Sequence, residues 1–302
     1  MVPLPFPPDL DPQGAGDVEI VLEEARSILR PQRDARHGFG FALSPYRGCA
    51  HGCRYCYVRE YPNAFHPPEA WGRWLTPKTN AAALLWAQRH RLAGQKVFLA
   101  SATDPYQPLE ARFRLTRACL EVLLACPATQ VLLHTRSPLV LQDLALLQAF
   151  GPRLSVGLSI PTDDDTVRQV TEPSAPPIPS RWAAVERLAA AGIRVGVSVA
   201  PLLPMVDPRA FARRAGASGA ANAWVGGLRL IRQDPFYDLL AQQGWLRALD
   251  PVYVAEVRAI LQEAMPAVPR AAPRTVRRGV RNLGCHAPSR GPSHPALFEG
   301  IL

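Results

Sequence analysis

From Phe39 onward, short apolar runs alternate with stretches whose apolar residues recur at helical spacing, and no other feature constrains the fold as strongly. Repeated strand-helix units of this kind build a parallel sheet. The runs predict six strands: Gly40 to Ser44, Lys96 to Ser101, Gln130 to His134, Leu154 to Ile160, Ile193 to Ala200 and Trp224 to Ile231. Between them, Leu115, Cys119, Val122, Leu123 and Cys126 share one helix face, as do Trp182, Val185, Leu188 and Ala189. Gly151 and Gly192 close two helices, since glycine adopts the left-handed conformation of a helix C-terminus without strain.

Two strands carry a further pattern. In Leu154 to Ile160 aliphatic residues alternate with small ones, and Ile193 to Ala200 repeats this with Gly196, Ser198 and Ala200. Strand side chains alternate faces, so one face offers bulk to covering helices while the other leaves interior room. The expected fold is α/β, a partial (β/α)6 TIM-like barrel, with an open doubly wound sheet as the alternative. Either architecture gathers the C-terminal strand ends on one edge, and Asp104, Thr135, Arg136, Ser159, Pro161 and Pro201 fall at or just beyond such ends.

At 302 residues, with 48% hydrophobic and 20% charged side chains, the chain has material for a sizeable core, which excludes global disorder. Residues 1–38 read as an N-terminal extension with a short helical stretch near Val18 to Leu29, 39–266 as the core, and 267–302 as a basic tail. The Pro-rich opening lacks the basic start and apolar run of a signal peptide, and no stretch has the length and apolarity of a membrane helix, so a cytoplasmic location is expected. The net charge of +9 is almost entirely arginine, because Lys78 and Lys96 are the only lysines. Arginine suits bidentate phosphate contacts, which makes nucleic acid a candidate partner; a solvated basic surface accounts for the same charge. In the tail, Arg270, Arg274, Arg277, Arg278, Arg281 and Arg290 admit the same two readings.

Three of the six cysteines crowd into Ser44-Pro45-Tyr46-Arg47-Gly48-Cys49-Ala50-His51-Gly52-Cys53-Arg54-Tyr55-Cys56-Tyr57, just after the first predicted strand. In a reducing compartment such crowding signals a metal centre. Cubane iron-sulfur clusters normally take four thiolates, so a triplet of Cys49, Cys53 and Cys56 leaves one iron free for a substrate or cofactor. The alternative is a structural zinc held by these cysteines and His51, at a spacing tighter than usual for a closed tetrahedron. Cys119 and Cys126 lie on an apolar helix face and read as inert thiols. Cys285, in the loop-like Asn282-Leu283-Gly284-Cys285-His286, is a candidate reactive thiol or an ordinary free one.

The CxxxCxxC spacing and the aromatic residue before the third cysteine resemble the radical S-adenosylmethionine superfamily. Ser101-Ala102-Thr103-Asp104-Pro105-Tyr106-Gln107-Pro108-Leu109-Glu110, Thr135-Arg136-Ser137-Pro138-Leu139, Ser159-Ile160-Pro161-Thr162, Glu172-Pro173 and Ala200-Pro201 follow in order, and together resemble the branch related to spore photoproduct lyase. The resemblance spans roughly Phe39 to Ile231. It implies a barrel of the radical S-adenosylmethionine type and a 4Fe-4S cluster on Cys49, Cys53 and Cys56. It also implies an S-adenosylmethionine cofactor that chelates the open iron and yields a 5'-deoxyadenosyl radical, and an electron donor such as flavodoxin or ferredoxin. Thr103, Arg136 and Ser159 match positions that contact the cofactor, with Arg136 standing where a lysine is usual; Tyr55 and Asp104 are placed beside them. The bland readings are turn-forming and capping polar residues, and for Tyr55 aromatic packing. Tyr55 and Tyr57 flank Cys56 and match tyrosines of the lyase's radical pathway, and Tyr57 and Cys285 are the candidate catalytic residues. Where the lyase has a hydrogen-donating cysteine, this chain has Ala100, Ser101 and Ala102, and a serine O–H bond is too strong to replace a thiol. The functional expectation is a radical enzyme with an unidentified substrate, nucleic acid among the candidates. The rival is a non-catalytic nucleic-acid-binding protein with a structural zinc or iron-sulfur centre.

Overall fold

The computed structural model describes residues 18–32, 38–60, 66–127, 129–230 and 234–265. Cys285 and the basic segment from Arg270 to Arg290 lie outside the described residues. The strands are β1 (Glu19–Ile20), β2 (Leu29–Pro31), β3 (Phe41–Leu43), β4 (Tyr46–Gly48), β5 (Trp74–Pro77), β6 (Lys96–Leu99), β7 (Gln130–Thr135), β8 (Leu154–Ser159), β9 (Arg194–Val199) and β10 (Asn222–Val225). The helices are α1 (Ala81–Ala87), α2 (Glu110–Phe113), α3 (Leu115–Leu124), α4 (Leu144–Ala149), α5 (Asp165–Thr171), α6 (Ile178–Ala190), α7 (Pro208–Ala217), α8 (Pro235–Gln242) and α9 (Pro251–Ala264). Three of them begin with Asp-Pro. Asp207, Asp234 and Asp250 each accept a backbone N–H of the first turn, while the following proline fills a position that needs no donor.

The main sheet runs β10-β9-β8-β7-β6-β3-β2. All neighbours from β3 to β10 are parallel, and β2 is antiparallel to β3 at one edge. Strand order follows chain order without the reversal that a doubly wound sheet requires, so the six parallel strands are those of a (β/α)6 unit. β2 and β10 do not pair with each other, which leaves the sheet open along that side. Val156 and Leu158 of β8 and Val195, Val197 and Val199 of β9 are almost fully buried, in one apolar cluster with residues of α1, α3, α6, α7 and α9. Each such side chain contributes about 1.5–3 kcal/mol through removal of apolar surface from water. Among the described residues no helix is long and apolar enough to cross a membrane.

Two expectations need correction. The segment from Val18 to Leu29 is not helical: Glu19, Val21 and Glu23 donate their backbone N–H groups to Arg73, Leu75 and Pro77, and Leu29–Pro31 pairs with β3. Backbone bonds to partner strands outweigh local helical spacing there. The last parallel strand begins two residues earlier than expected and stops at Val225, where Gly226-Gly227 interrupts it. A side chain at Gly226 would come within 2.8 Å of the Trp224 ring, so the chain turns there with no room for a Cβ.

A second sheet, β1-β5-β4, stands beside the first and carries the start of the cysteine loop. Beneath it, Tyr46 donates its hydroxyl to the fully buried Glu110, which also accepts the Arg117 N–H at 3.1 Å. Burial pushes the Glu110 carboxyl up to about 7, so folding favours its neutral form. A carboxyl raised in the folded state contributes full stability below its unfolded value of about 4.5 and loses that contribution as pH rises through about 7. The Glu110→Gln variant should therefore gain about 3 kcal/mol relative to the parent across that window, measured by urea unfolding at each pH. Parallel pH profiles for the two proteins would contradict this reading.

Candidate active site at the cysteine-loop rim

The cysteine loop leaves β4 at Gly48, whose φ of +80° and close approach to Trp74 exclude a side chain. Gly52, at φ +59°, packs backbone to backbone against Gly72. Around these turns the loop is strapped to the segment beyond β6 and to the end of α5. Thr103, beyond β6, donates its hydroxyl to the Gly48 carbonyl, and the Ala50 N–H donates to Gln107 Oε1 at 2.8 Å. The Arg54 N–H donates to the Thr171 carbonyl at 2.9 Å, and Tyr57 donates its hydroxyl to the Ser101 carbonyl at 2.7 Å.

Asp104 is the hub of this rim. It is buried; Oδ1 accepts the Tyr106 N–H at 2.9 Å and the Thr135 hydroxyl at 2.6 Å, while Oδ2 accepts the Arg136 N–H at 2.9 Å. The expected turn cap is present, and the same carboxylate joins the ends of β6 and β7. The His51 Nε2 lies 3.5 Å from Asp104 Oδ2 and has no hydrogen-bond partner among the described residues.

Glu172, fully buried beyond α5, forms the second hub. It is ion-paired with Arg136 and with the equally buried Arg181, and accepts the Tyr55 hydroxyl; Arg136 also donates to Tyr55 Oη at 2.8 Å. Burial alone raises the Glu172 carboxyl, but the guanidiniums of Arg136 and Arg181 outweigh it and hold the group below its ordinary value. Arg181 extends the chain of contacts to the Ser159 carbonyl at 3.1 Å. Tyr55 also packs edge-on against Phe236, so it serves both packing and the network. Arg136, Tyr55, Asp104 and Ser159 are thus joined through shared partners, with Thr103 and Tyr57 bonded to either side of the loop. The Ser159 hydroxyl makes no hydrogen bond among the described residues, while its neighbour across β9 is Ser198.

Cys49 and Cys53 are buried and Cys56 is half-buried. Burial pushes all three thiols up to about 12; Asp104 adds to this at Cys49 and Cys53 at Cys56, whereas Arg136 acts in the opposite direction. The protein by itself therefore leaves these sulfurs protonated, and iron would supply the positive charge that exchanges for their protons. Among the described residues no three His, Cys, Asp or Glu side chains converge on one point as a single-ion site requires. Cys119 is buried with its thiol pushed up, as expected of an inert residue.

Glu172 and Gln107 stand in the sequence only as parts of the motifs that carry the resemblance, and nothing in the sequence singles out Arg181. A glutamate 36 residues from one arginine and 9 from the other gives no local periodicity to find.

The chain belongs to the radical SAM superfamily, whose family model matches residues 43–214. The rim residues and strands β6 to β9 lie within that match, while β2, most of β3 and β10 lie outside it. An uncharacterized protein of Mycobacterium tuberculosis is 31% identical over 204 residues, which cover 64% of this chain and 59% of that protein. A protein of Acidianus two-tailed virus is 33% identical over 174 residues, covering 55% of this chain and 56% of its own length. The chain thus spans less than two thirds of either relative. Among solved structures, a tyrosine-to-phenylalanine variant of spore photoproduct lyase superposes with a TM-score of 0.56 at 14% identity, covering 81% of this chain and 78% of the other. A cysteine-to-alanine variant of that lyase bound to dinucleoside spore photoproduct gives 0.57 at 16%, covering 74% and 65%. These likenesses establish the shared fold.

Replacing Glu172 with Gln leaves the buried Arg181 without its counter-charge and Arg136 with only Asp104, 3.8 Å away. The variant should lose about 3–5 kcal/mol, read as a lower urea midpoint at unchanged slope. A midpoint within error of the parent would show that the network carries no such weight.

Proposed function

We propose that this protein is a radical enzyme in which Cys49, Cys53 and Cys56 hold a 4Fe-4S cluster and the rim beside them binds S-adenosylmethionine. When bound and reduced by one electron from a donor such as flavodoxin or ferredoxin, the pair supplies a 5'-deoxyadenosyl radical that abstracts hydrogen from a substrate. The observation that carries this reading is the gathering of three thiols, two buried and one half-buried, in one loop strapped to the end of β6 and to α5 in a chain of the superfamily.

The chain's own residues have separable tasks. Asp104 and Glu172 hold the cysteine loop, β6, β7 and β8 in one frame. Arg136 offers positive charge where the cofactor carboxylate would lie, although Glu172 already shares its guanidinium, so its strength as an anion ligand is partly spent within the network. The Ser159 hydroxyl, without a protein partner among the described residues, is free to meet a ribose or amine group. Tyr57 reaches across to the Ser101 carbonyl, in the stretch where the lyase places its hydrogen donor. With Ala100, Ser101 and Ala102 there, hydrogen return to a product radical must come from elsewhere, and Cys285 or Tyr57 is the proposed source. Nucleic acid is proposed as the substrate class, supported by the net charge of +9.

Anaerobically reconstituted protein with a strong reductant should convert S-adenosylmethionine to 5'-deoxyadenosine, and Cys53→Ala should reduce this to background. No 5'-deoxyadenosine from the iron-loaded parent would overturn the proposal. Binding to single-stranded DNA should weaken steeply with salt if the arginines contact phosphates, whereas salt-independent affinity would remove nucleic acid as the substrate.

A further inference from the structure

The helices cover one face of the main sheet, and its other face carries small and polar side chains together with Phe98, Leu132 and Trp224. Across four adjacent strands, His134, Gly157, Gly196 and Asn222 fall in one register row. His134 lies edge-on to Phe98 at 5.4 Å, which fixes it on the helix-free face. A Cβ at Gly157 would sit 2.2 Å from the His134 ring, and one at Gly196 would sit 2.1 Å from Asn222 Oδ1. The imidazole and the carboxamide thus fold inward over the two glycines from opposite sides, and a side chain at either glycine would have to displace them. Neighbouring strands are about 4.8 Å apart, so the polar ends of His134 and Asn222 stand over adjacent strands on the floor beneath the rim.

Both residues are only partly buried, and neither side chain has a hydrogen-bond partner among the described residues. Their polar ends are not enclosed, so water or a ligand can supply the missing partners. Burial holds the His134 ring down at about 4, so it is a neutral donor and acceptor at physiological pH. Asn222 is likewise neutral and can donate and accept. The row contains no charge, and the next row toward the rim places Ser159 against Ser198. Phe98 and the half-buried Trp224 supply aromatic surface nearby.

We propose that this floor is a recognition site for a neutral amide or lactam group, with His134 and Asn222 as facing specificity-determining residues. The inference rests on the reading of the rim above it as the reactive centre, and it deepens that reading by defining the part of a substrate that enters. An adjacent N–H and C=O satisfies a donor-acceptor pair on neighbouring strands, whereas a carboxylate or phosphate meets no cation within the row itself, the nearest being Arg136 toward the rim and Arg194 one row below. A nucleobase and a peptide both offer that group.

Equilibrium dialysis of the anaerobically purified, iron-loaded full chain tests the site without any turnover. The probes are uracil, orotate as the same ring carrying a carboxylate, and cyclo(Gly-Gly) as a peptide lactam. Saturable binding of either neutral ring, with orotate at least about tenfold weaker than uracil, supports the proposal; uracil points to a nucleobase and cyclo(Gly-Gly) to a peptide. His134→Leu and Asn222→Leu should each weaken the bound ring about tenfold, and their positions on different strands keep the test open if one variant fails to fold. Binding of neither neutral ring, equal affinity for orotate, or parent-like affinity in a folded variant would overturn it. 5'-Deoxyadenosine formation alongside any of those results would sink this inference alone and leave the radical chemistry standing.

Discussion

Two buried carboxylates hold the rim together. Asp104 gathers the ends of β6 and β7, and Glu172 ties Arg136, Arg181 and Tyr55 into one frame that reaches the Ser159 carbonyl. Each acid is removed from solvent and each is supplied with donors, the condition under which buried charge becomes tolerable. The cysteine loop itself has little regular structure, so its shape is imposed by these partners and by backbone turns at Gly48 and Gly52. A loop held from outside in this way keeps its three thiols at fixed places.

The main sheet divides the labour between its faces. One face of β8 and β9 is aliphatic and sealed by helices, and the other presents Ser159, Ser198 and two glycines. Stability and recognition are therefore separated by the two-residue period of a strand, and a change on one face need not disturb the other. The rim and the helix-free face meet at Ser159, which belongs to both.

Much of this was legible from the amino-acid pattern. The strand-helix alternation gave the six parallel strands, because periodicity directly reports which side of an element is buried. The cysteine spacing marked the loop, and positions at strand ends, Asp104, Arg136 and Ser159, proved to be linked at one rim. The role of Glu172 was not legible, since a buried ion pair between distant segments has no signature in local sequence. The extended course of Glu19–Ile20 and Leu29–Pro31 was hidden for a related reason: their spacing suits a helix, and only partner strands supply the competing hydrogen bonds. His134 gave no signal of its own, because its significance depends on Gly157 in the neighbouring strand.

The central claim is that Cys49, Cys53 and Cys56 ligate one cubane and leave one iron open. Iron, acid-labile sulfide and zinc measured on anaerobically purified protein test it most directly. The account predicts about four irons and four sulfides per chain, lost together in Cys53→Ala. Stoichiometric zinc with no sulfide would contradict it.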